Sequence, residues 1–97
     1  NRYMSAAERA QALCLHRALQ TARSLIGQGE RDAARVVAAM HDVIRAAGPA
    51  QIDYVSIVDP DTLAEQPTIA GPVVVALAVR IGTTRLIDNL RIEPPGA

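Results

Sequence analysis

Val73-Val74-Val75-Ala76-Leu77-Ala78-Val79-Arg80-Ile81-Gly82-Thr83-Thr84-Arg85-Leu86-Ile87-Asp88-Asn89-Leu90-Arg91-Ile92 is the stretch whose pattern settles the fold class. Val73 to Ile81 and Thr84 to Ile92 are two β-branched and aliphatic runs of strand length, separated by Gly82-Thr83 alone. Two residues cannot carry a parallel crossover, which takes a dozen or more, so the runs turn back on one another as an antiparallel hairpin. Upstream, Ile52 to Val58 has the same character and is closed by Asp59-Pro60, which makes a third strand. Leu63 to Gly71 reads as a loop with room for one helical turn.

Before the strands the periodicity changes from 2 to 3.6. Ser5-Ala6-Ala7-Glu8 fits a capping box, and Ala10, Leu13, Cys14, Ala18, Ala22 and Leu25 then recur at helical spacing, with Leu15, Leu19 and Ile26 widening the stripe. Gly27 and Gly29 stop that helix. Asp32 is placed to cap a second one, whose Val36, Val37, Met40, Val43, Ile44 and Ala47 share a face until Gly48-Pro49. Two helices followed by three strands, with no βαβ alternation, predict an α+β fold: two main helices packed on one face of a three-stranded, mainly antiparallel sheet. The other face is left to water or to another domain. Pro94-Pro95-Gly96-Ala97 reads as a frayed end.

Composition narrows the function. At 97 residues the chain is one domain with one core, and that core is aliphatic, since there is no Phe, no Trp, and 18 of the apolar residues are Ala. Ten arginines balance ten acidic residues, so no strong field draws the chain to nucleic acid or to an anionic membrane. Lys is absent, which removes Schiff-base chemistry and the phosphate-binding Lys of a P-loop. Cys14 alone forms neither an internal disulfide nor a multi-cysteine zinc site; in an apolar helical run it reads as a buried, reduced thiol, which points to a reducing, cytoplasmic compartment. No run reaches the roughly 20 apolar residues that span a bilayer. The first residues lack the apolar stretch of a signal peptide and an initiator Met, which suggests a piece of a longer protein.

No side chains assemble into a catalytic set. His16 and His41 stand on different helices without partners at zinc-ligand spacing, and Asp42, next to His41, points to another side of the helix. Ser5, Ser24 and Ser56 lack the elbow that exposes a nucleophile. Asp53, Asp59 and Asp61 cluster around a strand and its turn, where they would either bind a cation or simply build the turn, the second being the simpler reading. Arg80 and Arg85 flank the hairpin and either hold a phosphate or carboxylate or keep a sheet edge soluble. Asp88 and Asn89 interrupt an apolar strand and, if buried, need partners on a helix or another domain.

Taken in order, Gly29-Glu30-Arg31-Asp32, Ile52-Asp53-Tyr54-Val55, Val58-Asp59-Pro60 with Leu63, and Thr84-Arg85-Leu86-Ile87-Asp88-Asn89 resemble the C-terminal third of the pantothenate synthetases over nearly the whole chain. Asn1-Arg2-Tyr3-Met4-Ser5 resembles the segment after that family's Ser-Ser-Arg triphosphate-binding motif, at the junction of its two domains. The resemblance implies a C-terminal lid domain spanning residues 1–97, part of a ligase that activates pantoate with ATP as a pantoyl adenylate. Pyrophosphate leaves in that step. The amine of β-alanine then attacks to give pantothenate and AMP, a step on the way to coenzyme A. Mg²⁺ accompanies the ATP. By the same resemblance, the N-terminal domain, absent here, carries the nucleotide-binding motifs, the pantoate pocket and the homodimer contact.

The resemblance assigns no catalytic and no metal-binding residue to these positions. Asn1 and Arg2 are the two that adjoin the triphosphate segment, and the isolated domain is expected to be inactive. The role left to it is to close over the site and exclude water. Two other classes of function compete with that one: a free-standing α+β module that pairs with itself through its sheet, and a small anion-binding domain built on Arg80 and Arg85.

Overall fold

The computed structural model describes residues 6–48 and 50–95, without the side chains of residues 7, 8 and 11. Helix α1 runs Ala6–Gly27 and α2 runs Ala33–Ala46. Strands β1, Gln51–Val58, β2, Val73–Ile81, and β3, Thr84–Ile92, follow. They form one antiparallel sheet in the order β1-β2-β3, so the expected hairpin is joined on its far side by a strand that also pairs with β2.

Local chemistry sets the element ends. α1 closes in a Schellman motif: Glu30 N–H donates to Leu25 O at 2.9 Å and Gly29 N–H to Ile26 O at 3.1 Å. The motif requires a left-handed residue, and Gly29 has φ +107°. The Ser5 cap expected at its other end lies outside the described residues. Asp32 caps α2 as its position predicts, with Oδ1 accepting the Ala34 N–H at 3.0 Å. At the hairpin, Gly82 has φ +61° while Thr83 stays at negative φ. A positive φ at the first central residue alone is the pattern of a type II′ turn, whose twist matches the strands it joins.

Both helices cover the same face of the sheet. Cys14, Leu15, Ala18, Leu19, Ala22 and Ile26 of α1 and Ala33, Val36, Met40 and Ile44 of α2 are buried against Val73, Val75, Leu77, Val79 and Ile81, the alternate residues of β2. The apolar stripe of α1 is therefore rotated from the expected one. Leu13 is 61% exposed and Ala10 is also exposed. Leu15 and Leu19, expected at the margin, are central, because the sheet meets α1 on the side next to Cys14. Ala47, expected on the apolar face of α2, lies past its end and is exposed.

From Leu63 to Gly71 the chain contains no helical turn; the one i→i+4 bond between β1 and β2, Leu63 N–H to Asp59 O at 2.9 Å, lies before it. The segment is held by short bridges instead: Asp59 N–H donates to Ala64 O, Gln66 N–H to Ile57 O, Ala33 N–H to Pro67 O and Ile69 N–H to Arg31 O. These bonds seat Ile69 in the core. The C-terminal segment is also pinned where fraying was expected. The Arg31 guanidinium donates to Ile26 O at the end of α1 and to Pro95 O at 3.0 Å, and Pro94 is buried. Gly96 and Ala97 lie outside the described residues. No helix among those described is long and apolar enough to cross a membrane.

Candidate functional site: the uncovered face of the sheet

The side chains that alternate with the core residues of β2 point away from the helices, and the register arranges them in rows. Tyr54, Ala78 and Ile87 form one, Ser56, Ala76 and Asn89 a second, and Val58, Val74 and Arg91 a third. None of the nine belongs to the hydrophobic core or packs against it. Ala78 is 0% exposed even so, while its two row neighbours, Tyr54 and Ile87, are 38% and 59% exposed.

A charged cluster stands at the hairpin end of this face. Arg80 and Arg85 are direct cross-strand partners, an arrangement that is repulsive unless a counter-charge intervenes. Asp53 supplies it. The register of β1 slips between Ile52 and Tyr54, and the Asp53 side chain at that irregularity reaches across β2. Its Oδ2 accepts from Arg85 Nε at 2.8 Å and from Arg80 Nε at 3.4 Å. The Arg85 hydrogen bond, with a smaller contribution from Arg80, holds the Asp53 carboxyl below its ordinary pKa against a weaker opposing effect of desolvation.

The other candidates resolve separately. Asp59 does not join Asp53 in a cation site: its Oδ1 accepts the N–H groups of Asp61 and Thr62 at 2.8 and 2.9 Å. Those bonds, Thr62 first, also lower its pKa. For Asp59 the turn reading is therefore the correct one, whereas Asp53 serves the arginine pair. Among the described residues no three His, Cys, Asp or Glu side chains converge as a metal site. His16 is exposed and His41 half-buried on another helix. Ser24 accepts a hydrogen bond from Gln28 Nε2, and Ser56 is half-buried on β1. Cys14 is a free, buried thiol, its pKa raised by burial and lowered less strongly by Arg17. Asp88 and Asn89 are exposed, so neither ties the sheet to a helix; Asp88 Oδ1 accepts the Asn89 N–H at 2.8 Å. Asn1 and Arg2 lie outside the described residues.

Sequence reasoning missed two features. The first is Asp53 as the shared counter-ion of the arginine pair, which depends on a strand irregularity without a sequence signature. The second is Leu63, 68% exposed at φ +62°, a backbone conformation that a branched residue adopts at a cost. Its loop is over-determined by the Asp59 bonds and by the Ala64 N–H donating to Thr62 Oγ1.

The arrangement contains no nucleophile beside a base. It offers an apolar and cationic platform, suited to covering or binding something.

Comparison with known proteins adds what geometry cannot. A family model described as Pantoate-beta-alanine ligase matches residues 1–91. Pantothenate synthetase of Moorella thermoacetica is 50% identical over 93 residues, covering 96% of this chain and 33% of that protein. The bifunctional pantoate ligase/cytidylate kinase of Gloeobacter violaceus is 48% identical over 90 residues, covering 93% of this chain and 18% of that one. The crystal structure of pantothenate synthetase from Thermus thermophilus superposes with a TM-score of 0.87 at 35% identity, over 97% of this chain and 34% of the other. The chain thus spans about a third of the length of the pantothenate synthetases it matches.

Proposed function

This chain belongs to the pantoate-beta-alanine ligase family, and from that premise we propose that it is the C-terminal lid domain of an ATP-dependent ligase. The enzyme joins pantoate to β-alanine in the synthesis of pantothenate. One observation carries this reading: the chain follows the fold of a pantothenate synthetase over 97% of its own length and 34% of that enzyme. It does so with no catalytic constellation among the described residues. A segment kept in a ligase without reacting groups of its own acts by position.

In the proposed reaction the pantoate carboxylate attacks the α-phosphorus of ATP, the bond to the β-phosphate breaks, and pyrophosphate leaves. The β-alanine amine then attacks the acyl carbon and AMP departs. The acyl adenylate between these steps is open to hydrolysis, so a domain that closes over it protects the intermediate and holds the phosphates in register. Among the described residues no metal cluster forms. ATP, its Mg²⁺ and pantoate are accordingly assigned to the nucleotide-binding N-terminal domain, as is the homodimer contact. Asn1 and Arg2 stand beside the triphosphate segment. A cytoplasmic location fits this soluble biosynthetic chemistry and the free thiol of Cys14.

The test is a full-length ligase truncated after Ser5. Loss of pantoate-dependent ATP–pyrophosphate exchange is expected, with the nucleotide-binding domain still folded; unchanged exchange would sink the assignment. A free-standing anion-binding module has less support, because the chain matches about a third of a longer enzyme.

A further inference from the structure

Helix α1 has an outward face that changes character along its length. Ala6, Ala10, Leu13, Arg17, Gln20 and Ser24 fall within about 80° of one another at 3.6 residues per turn, and all six are exposed. They lie opposite the core-facing stripe that runs from Cys14 to Ile26. Arg17, Gln20 and Ser24 make the far half polar, as a solvated helix face should be. The near half, Ala6, Ala10 and Leu13, is apolar, and Leu13 is 61% exposed. Building on the ligase reading, we propose that this apolar end of α1 is seated against the preceding, nucleotide-binding domain of the same enzyme and stays seated whether the lid is open or closed.

Attachment selects the occupant. On the ligase reading the larger part of the enzyme precedes α1, since this chain covers 34% of the solved pantothenate synthetase. The five residues before Ala6 span at most about 18 Å, so that domain stands beside the first turns of the helix. Leu13 lies about 10 Å along the axis from Ala6, and Ser24 about 27 Å. The apolar stretch is thus confined to the end nearest the attachment, and polar side chains take over farther from it. A tether this short holds two surfaces at an effective concentration on the order of mM, so a patch of one Leu and two Ala needs little affinity to remain docked.

Charge describes the surface that the patch meets. Arg9 and Arg17 are exposed on either side of Leu13, and α1 as a whole carries Arg9, Arg17 and Arg23 against Glu8, a surplus of two positive charges. The complementary surface is apolar with carboxylates at its margin, the usual make-up of an interface centre and rim. Position also decides how long the contact lasts. When one domain turns on another about a junction, surfaces close to the pivot move least, so a contact about 10 Å from Ala6 survives an opening that parts remoter surfaces.

Thiol labelling of the full-length enzyme tests this. The Leu13→Cys thiol is expected to react with a maleimide about tenfold more slowly than the Ser24→Cys thiol, the ratio for a patch docked about nine-tenths of the time. Peptide mass spectrometry, with wild type as the blank, separates both from the buried Cys14. ATP and pantoate should leave the ratio unchanged. Leu13→Asp, at a position exposed within this domain, should lower pantoate-dependent ATP–pyrophosphate exchange severalfold, whereas Ser24→Asp should not. Equal labelling rates in an enzyme that retains exchange overturn the docking and leave the ligase reading standing. Protection that appears only with both substrates overturns the lasting contact, and protection lost on dilution overturns the occupant in favour of a second copy of the chain. A wild-type enzyme without pantoate-dependent exchange removes the ligase reading, and this inference with it.

Discussion

Asp53 shows how much one residue can organise. Its carboxylate sits between two arginines that would otherwise repel across the strands, and its pKa is depressed chiefly by the Arg85 hydrogen bond. A depressed folded-state pKa contributes stability that is present above the unfolded value, about 3.9, and is lost as pH falls through the folded one. Asp53→Asn should therefore lower the urea midpoint at pH 7, with the gap to wild type closing on acidification below about pH 3.9. A gap that stays constant into acid would mean that charge is not the cause. Leu63 makes the opposite case. It holds a left-handed conformation while exposed, so Leu63→Gly removes a steric cost of about 1–2 kcal/mol, less the entropy that Gly adds to the unfolded chain. The variant should be at least as stable as wild type in urea; a clear loss of stability would show that the exposed side chain has a contact worth more than the strain.

At the scale of elements, the helix ends were legible wherever a side chain or a glycine sets them. Asp32 was readable as a cap because its carboxylate satisfies an amide that α2 itself cannot. Asp32→Ala should cost about 1 kcal/mol by denaturant melting, and a smaller change in Asp32→Ser would show that the cap, and not the exposed pair with Arg35, is responsible. The hairpin was legible for a similar reason, since a two-residue connection permits a single topology. The facing of α1 was not. Its wide stripe runs from Ala10 to Ile26, and 3.6-residue periodicity cannot say which part of a broad stripe meets the sheet. Asp88 shows the same limit, because an apolar strand pattern does not reveal how far the helices extend over it, while Asn89 lies on the face they leave uncovered.

Across the whole molecule the balance is narrow. The core is aliphatic and rich in alanine, in a domain of 97 residues, so each large buried side chain carries a sizeable share of the stability. Ile44 is fully buried between α2 and the sheet. Ile44→Ala should cost about 2–5 kcal/mol and bring the domain close to unfolding at ambient temperature, read by loss of the cooperative urea transition. The sequence by itself determined the element order, the antiparallel hairpin, the α2 cap and, through ordered blocks, the family. These depend on neighbours in the chain, where spacing and side-chain type dictate geometry. Only the tertiary structure decided that Asp53 serves both arginines, that Tyr54 and Ile87 share a row and that Pro94 is buried. Each of those joins residues far apart in sequence, and register, strand irregularity and helix rotation are set by packing of the whole core.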